Sequence, residues 1–304
     1  MISDIIKKIP IKVDNLEKID FIGDSGIGYY KILSKEKILF LKIYNQSRKE
    51  DYLIELYNYN LIYNNLRNLP KKHLFFEANE HFCILYNFID GKSLYCKNNE
   101  DSHDKDSYLK IIKDVVKLQG ISKNKIKETS TLNWFEREFI NNLQAKDVLK
   151  EEIFFLYELI DPYIQSVAKE FSGIYSDRNP RNILFDAKEN LYHIDFEVLW
   201  FVSPIFDLVK LLRNGFDYLE INTQKISSYN LFNEDEEQKF LFYFIEELSK
   251  IKPNILHNLS INPKIVIIKY NLVCLFIHLL YVAYYSSELK RKKDSIKYNR
   301  QIYH

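Results

Sequence analysis

Cysteine, glycine, proline and surplus charge are all scarce in this chain, and each shortage closes off a class of protein. The three cysteines, Cys83, Cys96 and Cys274, are odd in number and far apart. They fit neither a disulfide framework nor the paired spacing of a zinc site, and are expected to be reduced thiols. Seven glycines and seven prolines in 304 residues are too few for a linker-rich or low-complexity chain. The 43 basic and 42 acidic residues leave a net charge of +1, which provides no global attraction to nucleic acid or to an anionic membrane. None of the seven histidines has a partner at metal-ligand spacing. Long apolar runs are missing too. The N-terminus places Asp4 early and reaches Pro10 before any hydrophobic stretch, unlike a secretory signal. The one segment near membrane-span length, Tyr270 to Ser287, is interrupted by Asn271, His278 and several tyrosines, and reads as a buried helix. What remains is a cytoplasmic globular protein with no membrane span and no nucleic-acid partner.

What is present is ample apolar material, 46% of the chain, at a length that favours two lobes over one core. The first ninety residues alternate short β-rich runs with turns. Strands are expected at Ile19 to Ile22, Tyr29 to Leu33, Ile38 to Ile43, His73 to Ala78 and Phe82 to Asn87. A helix over Ser47 to Leu66 interrupts them, with Tyr52, Glu55, Leu56, Tyr59 and Tyr63 at spacings of three and four. The turn at Asp90-Gly91 marks a lobe boundary, giving lobes of residues 1–90 and 91–304. Beyond it, 98–106 reads as a loop, and helices are expected near 107–119, 133–148 and 150–170 and again after Pro204, one of them starting at an Asn233 cap.

Between the helical stretches lies a polar knot, Tyr-Ser-Asp-Arg-Asn-Pro-Arg-Asn over 175–182, followed by two apolar runs that could pair as a hairpin across Asp186 to Asn190. The second run contains His-Ile-Asp-Phe-Glu, 193–197. Phosphoryl transfer requires such a set. Hard Mg²⁺ takes oxygen ligands from an Asn amide and an Asp carboxylate, while a separate carboxylate orients the attacking hydroxyl and accepts its proton. Asn182 and Asp195 suit the metal, and Asp177 suits the base.

These residues resemble the aminoglycoside phosphotransferase and choline kinase superfamily, whose catalytic loop carries a Pro three positions and an Asn five positions after its Asp. Asp177, Pro180 and Asn182 keep that spacing, Ile194-Asp195-Phe196-Glu197 resembles the metal-binding motif, and Asp207-Leu208 resembles the pair that supports the catalytic loop. The chain departs from the pattern at Tyr175 and Ser176, where the family has His and Gly or Asn, and at Arg178, where an apolar residue is common.

The resemblance extends into the N-terminal half, in family order across roughly residues 20–210. Gly23 to Gly28 lies between strands and would cradle phosphates through Ser25, Gly26 and Gly28. Lys42 ends the third strand, where a phosphate-binding lysine is placed, and Glu55 on the following helix would pair with it, with Glu50 as the fallback. The stretch 84–91 resembles the hinge, whose backbone around Tyr86 to Phe88 would meet the nucleotide base. Glu197 and Trp200 are candidate acceptor contacts, Glu197 leaning towards a cationic acceptor and Trp200 reading equally well as a buried anchor. Trp134 and the aromatic cluster Phe240 to Ile245 are weaker candidates, the cluster reading first as core packing.

The resemblance therefore implies an α+β, bilobal protein-kinase-like fold, with a five-stranded antiparallel N-lobe carrying one helix and a larger, mainly helical C-lobe. It implies transfer of a phosphoryl group from ATP or GTP, with Mg²⁺, to a small amino-alcohol, aminoglycoside or sugar-like acceptor. The alternative is a nucleotide-binding regulator of the same fold that transfers nothing. A protein kinase fits less well, because only about ten residues separate Asp195 from the support helix, too short for an activation segment.

Overall fold

The computed structural model describes residues 2–19, 27–99, 104–126, 150–213, 231–253 and 263–279. They fall into two compact units, Met1–Ser102 with Arg181–Val198, and His103–Pro180 with Leu199–His304.

The first unit is built on a five-stranded antiparallel sheet in the order β1-β2-β3-β5-β4. Its strands are β1 (Asn15–Ile19), β2 (Ile27–Leu33), β3 (Ile38–Tyr44), β4 (Lys72–Ala78) and β5 (His81–Asn87). All but β1 fall where the β-rich runs predict; β1 lies earlier, and residues 20–26 are outside the described part. Asn79 and Glu80 take φ of 48° and 62° in the turn joining β4 to β5, the doubly left-handed geometry that matches strand twist in a tight hairpin. Helix α2 (Lys49–Tyr63) connects β3 to β4 and buries Tyr52, Glu55, Asn58, Tyr59 and Ile62 along one face.

A short helix, α1 (Ile2–Lys7), was not expected. Its anchor is Ile5, which with Ile9 just beyond the helix packs with Ile32, Leu39, Leu41, Ile43, Cys83 and Leu85. Two isoleucines four apart are too little periodicity to announce a helix. Between the expected lobe boundary and the loop expected over 98–106, β6 (Gly91–Ser93) runs into α3 (Leu94–Asn99), which takes in the first two residues of that loop; 100–103 lie outside the described residues. β6 pairs with β8 (Ile183–Asp186), which pairs with β9 (Leu191–His193). Gly91 permits that contact, since a Cβ there would stand 1.9 Å from the Phe185 carbonyl oxygen. The β8–β9 hairpin forms as predicted, and Asp186 closes it by accepting the backbone N–H of Lys188 and Asn190, each at 2.9 Å.

The second unit is mainly helical. It contains α4 (Lys105–Leu118), α5 (Lys150–Glu170), α6 (Ile205–Leu212), α7 (Glu234–Ile251) and α8 (263–279), with a small antiparallel pair of β7 (Gly173–Tyr175) and β10 (Trp200–Val202). α7 starts at the predicted Asn233, where Asn233 and Glu236 form a reciprocal capping box. Val266, Tyr270, Val273, Cys274 and Ile277 of α8 are buried, so the first part of Tyr270 to Ser287 is a core helix. Among the described residues no helix is long and apolar enough to cross a membrane. Cys83 and Cys274 are buried free thiols pushed up to about 12 by that burial, which leaves them protonated and inert. The helix expected over 133–148, and Trp134 with it, lie outside the described residues.

Candidate active site

The first unit gathers charge around one lysine. Lys42 leaves the central strand β3 into the interior, where its ammonium meets Glu55 Oε2 at 2.7 Å, Glu197 Oε1 at 2.5 Å and Asp195 Oδ1 at 3.8 Å. Glu55 is buried at the middle of the α2 face, while Glu50 is exposed, so the phasing of α2 selects Glu55 as the partner. Tyr44 donates its hydroxyl to Glu55 and, at 3.1 Å, to Glu197. Tyr86 donates to the other Glu55 oxygen at 2.7 Å. Burial opposes the charge on Lys42, but Glu55, Asp195 and Glu197 together hold its pKa well above the ordinary lysine value. Burial likewise raises the Glu197 carboxyl, yet the Lys42 charge, with hydrogen bonds from Lys42 and Tyr44, brings it below the usual range. Three carboxylates surround one ammonium, with the Arg48 charge also acting on Glu197, so acids outnumber bases in the cluster.

Asn182 and Asp195 come together through the β8–β9 hairpin. Ile183 pairs with His193, and the ladder runs one step further, as Ile194 N–H donates to the Asn182 carbonyl at 2.9 Å. Asp195 then turns out of the strand with φ of 62°, a left-handed conformation uncommon away from glycine and often found at functional positions. The carboxylate oxygens of Glu55, Asp195 and Glu197 lie within 4.8 Å of one another. Glu55 and Glu197 are committed to Lys42 and the tyrosines, and Asp195 is the most exposed of the three, at 43%. An accessible carboxylate in a cluster where acids outnumber bases, with the Asn182 backbone next to it on the ladder, fits a hard divalent cation such as Mg²⁺.

The second unit holds Asp177. It too is left-handed, at φ 53°, on the loop after β7. The Tyr175 hydroxyl donates to Asp177 Oδ1 at 2.8 Å, and the Lys210 ammonium reaches the same oxygen at 2.5 Å. Burial by itself raises the carboxyl, but Lys210 outweighs it, with help from Tyr175 and Arg178, and holds Asp177 below the ordinary range as an anion. The loop is fastened from below by Asp207 of α6. One Asp207 oxygen accepts the Ser176 N–H at 2.9 Å and its hydroxyl at 3.0 Å, and the other accepts the Arg178 N–H at 2.7 Å. Complete burial pushes Asp207 up to about 6, against the opposing pull of these bonds and of Arg178. α6 is otherwise apolar; Asp207 and Lys210, three residues apart, are its only charged groups, and both bind the 175–178 loop.

The other expected residues have the following surroundings. Glu197 is bonded to Lys42. Trp200 is buried, pairs with Tyr175 across β7 and β10, and packs its ring at 5.6 Å from that tyrosine, so it is an anchor of the second unit's small sheet. Tyr86 turns its side chain to Glu55 while its backbone lies in the β3–β5 ladder, and the Phe88 N–H donates to the Ile38 carbonyl at 3.2 Å. Gly28, the second residue of β2, lies opposite Ile43, which puts its neighbour Tyr29 opposite Lys42. Ser25 and Gly26 lie outside the described residues. Phe240, Leu241, Phe244 and Ile245 are buried, with Phe240 against Tyr108 and Phe232. Tyr44, Tyr175 and Lys210 were missed. Strand alternation puts Tyr44 on the Lys42 face, and a three-residue helical step puts Lys210 beside Asp207, but neither type of residue announces its partner in sequence.

The geometry is matched by what the chain resembles. None of the curated proteins matches it. Solved structures of similar fold include an aminoglycoside phosphotransferase from Streptomyces rimosus in complex with ADP and streptomycin, 10% identical, covering 92% of this chain and 96% of that one with a TM-score of 0.61. A Plasmodium vivax ethanolamine kinase is 16% identical over 91% of this chain and 78% of that one, TM-score 0.60. A choline/ethanolamine kinase family protein from Mesorhizobium loti is 14% identical over 93% and 99%, TM-score 0.52. These likenesses show the α+β protein-kinase-like fold that the sequence predicts. A family model described as the phosphotransferase enzyme family matches residues 28–225, well over half of the sequence, and the chain therefore belongs to that family.

Proposed function

We propose that this phosphotransferase moves the γ-phosphoryl group of ATP or GTP to a hydroxyl of a small acceptor, of the amino-alcohol, aminoglycoside or sugar-like kind. The observation that carries the reading is the buried Lys42–Glu55 pair at 2.7 Å with Asp195 Oδ1 3.8 Å from the same ammonium, an arrangement suited to fixing a phosphate-binding lysine beside a metal-binding acid. In this proposal residues 1–90 contribute the nucleotide-binding groups and residues 91–304 the catalytic loop and acceptor contacts. Lys42 holds the α- and β-phosphates, Glu55 fixes Lys42, and the chain around Gly28 approaches the phosphates.

Asn182 and Asp195 would hold Mg²⁺, which when bound neutralises phosphate charge and polarises the γ-phosphoryl group. Glu197 keeps Lys42 charged and in place. Asp177 accepts a hydrogen bond from the acceptor hydroxyl and orients it for in-line attack. The new bond forms between the acceptor oxygen and the γ-phosphorus, the bond to the β–γ bridging oxygen breaks with its electron pair leaving on the nucleoside diphosphate, and the hydroxyl proton passes to Asp177. The regulator reading was motivated by Tyr175, Ser176 and Arg178. Those three residues bond to Asp177 or Asp207 and brace the loop, which favours the enzyme.

The test is turnover of Mg·ATP or Mg·GTP across choline, ethanolamine, aminoglycosides and sugars. Acceptor-dependent turnover that disappears in Asp177→Ala supports the proposal. Nucleotide binding with no Asp177-dependent turnover in any mixture removes it.

A further inference from the structure

Helix α2 does more than pair Glu55 with Lys42. Three residues further on stands Asn58, 4% exposed in the helix interior, where asparagine contributes little to helix stability and a buried amide needs partners. Its Nδ2 donates to the Phe196 carbonyl at 2.9 Å and to the Glu197 carbonyl at 3.4 Å. Both partners are carbonyl oxygens, which fixes the nitrogen as the atom that faces them. The next residue of the helix, Tyr59, sets its ring edge-on to that of Phe196, with centroids 5.2 Å apart. Tyr59 is itself fastened, its hydroxyl donating to the Pro70 carbonyl at 2.8 Å. α2 therefore holds the residues that follow Asp195 both by backbone and by side chain.

Asp195 is the residue on which this hold acts. At φ 62° its backbone is in a conformation that persists only where the surroundings impose it, and the direction of the carboxylate follows from that conformation. Its Oδ1 lies 3.8 Å from the Lys42 ammonium and accepts the Glu197 N–H at 3.5 Å, so a shift of the 196–197 backbone moves the carboxylate relative to Lys42. Glu55 and Asn58 share the buried face of α2. The first holds the lysine, and the second holds the turn that carries the acid. We infer that Asn58 is a positioning residue for the Asp195 carboxylate, and that α2 thereby sets the placement of Lys42 and Asp195 relative to each other. The inference rests on the kinase reading above, in which Asp195 holds Mg²⁺, and deepens it.

The test is calorimetric titration of ATP into the full chain, once with Mg²⁺ and once with EDTA. Asn58→Ala and Asn58→Leu remove the donor, by truncation and by an apolar group of similar size. In either variant the dissociation constant of Mg·ATP should rise about tenfold or more, while that of ATP in EDTA stays at the wild-type value, because Lys42 keeps Glu55. In an Asp195→Asn background the same substitutions should add nothing, since the acid that they position is gone. A wild type that binds ATP equally well with and without Mg²⁺ removes the kinase reading and the inference with it. Where the wild type shows the Mg²⁺ enhancement, the kinase reading stands and three results overturn the inference alone: Asn58 variants that keep the enhancement, variants that lose binding equally in EDTA, or the same loss on top of Asp195→Asn. Far-UV circular dichroism identifies the variant to be read. If neither variant folds, Asn58 serves the fold as a whole and the inference is likewise overturned.

Discussion

Lys42 in the first unit and Asp177 in the second are charged centres of opposite design. Lys42 is one cation among three carboxylates, with phenols donating to the acids around it. Asp177 is one carboxylate held by an ammonium and a phenol, with a guanidinium next to it in sequence. The first arrangement has negative charge in excess, so an anionic triphosphate binds there favourably only if a cation accompanies it; the second is locally balanced and suits a hydroxyl that carries no charge. Burial sets the cost of disturbing either. Removing one partner of a buried ion pair leaves an uncompensated charge and costs far more than losing an exposed pair.

The largest effect that would break this contrast is on turnover. Asp177→Asn and Asp195→Ala should each lower kcat by about three orders of magnitude while far-UV circular dichroism stays that of the wild type. Lys42→Met comes next. It leaves Glu55, Glu197 and Asp195 facing one another, so kcat/KM for ATP should fall about a hundredfold, with a loss of about 3–5 kcal/mol in urea unfolding. Added Mg²⁺ should then raise the Tm of Lys42→Met more than that of the wild type, because the acid excess is greater.

Asp207 sharpens the comparison through pH. Its folded-state value of about 6 lies above the ordinary 3.8, so the folded protein holds this proton more tightly than the unfolded chain. Stability from this group is therefore fully present below about 3.8 and is lost as pH rises through about 6. Asp207→Asn, which does not titrate, should be less stable than the wild type at pH 4, and the gap should narrow by about 2 kcal/mol on going to pH 7 in urea titrations. Asp177 and Glu197 have the opposite sign: their depressed values contribute stability above the ordinary carboxylate range that disappears only as pH falls through their folded values. The smallest expected change is Tyr86→Phe, which removes one hydrogen bond to Glu55 and should cost about 1 kcal/mol with no change in secondary structure.

Much of this was legible in sequence for identifiable reasons. β2 to β5 and α2 follow period-two and period-3.6 patterning, and the order of Lys42, Glu55, Asp177, Asn182 and Asp195 kept its family spacing. The phase of α2 also made Glu55 the buried acid, between Tyr52 and Tyr59 of the expected face, whereas Tyr63 of that face is exposed and Ile62 is buried instead. What sequence did not convey were contacts between residues distant along the chain. Glu197 meets Lys42 over a separation of 155 residues, and Lys210 meets Asp177 over 33; neither local propensity nor motif spacing encodes such pairs. Trp200 takes the buried-anchor place open to it in sequence, but nothing in the sequence said that β10 would pair it with Tyr175. α1 was invisible because its stability comes from Ile5 in the sheet's core and not from its own few residues.

The central claim is that Asp195 serves the metal-bound nucleotide and Asp177 serves the acceptor. The most direct test is calorimetric titration of ATP, with and without Mg²⁺, into the wild type, Asp195→Asn and Asp177→Asn, alongside Mg·ATP turnover of each. The account predicts that Asp195→Asn loses the enhancement of ATP binding by Mg²⁺ together with turnover, whereas Asp177→Asn keeps that enhancement and loses turnover alone. Mg²⁺-dependent binding and full turnover retained in both variants would contradict it.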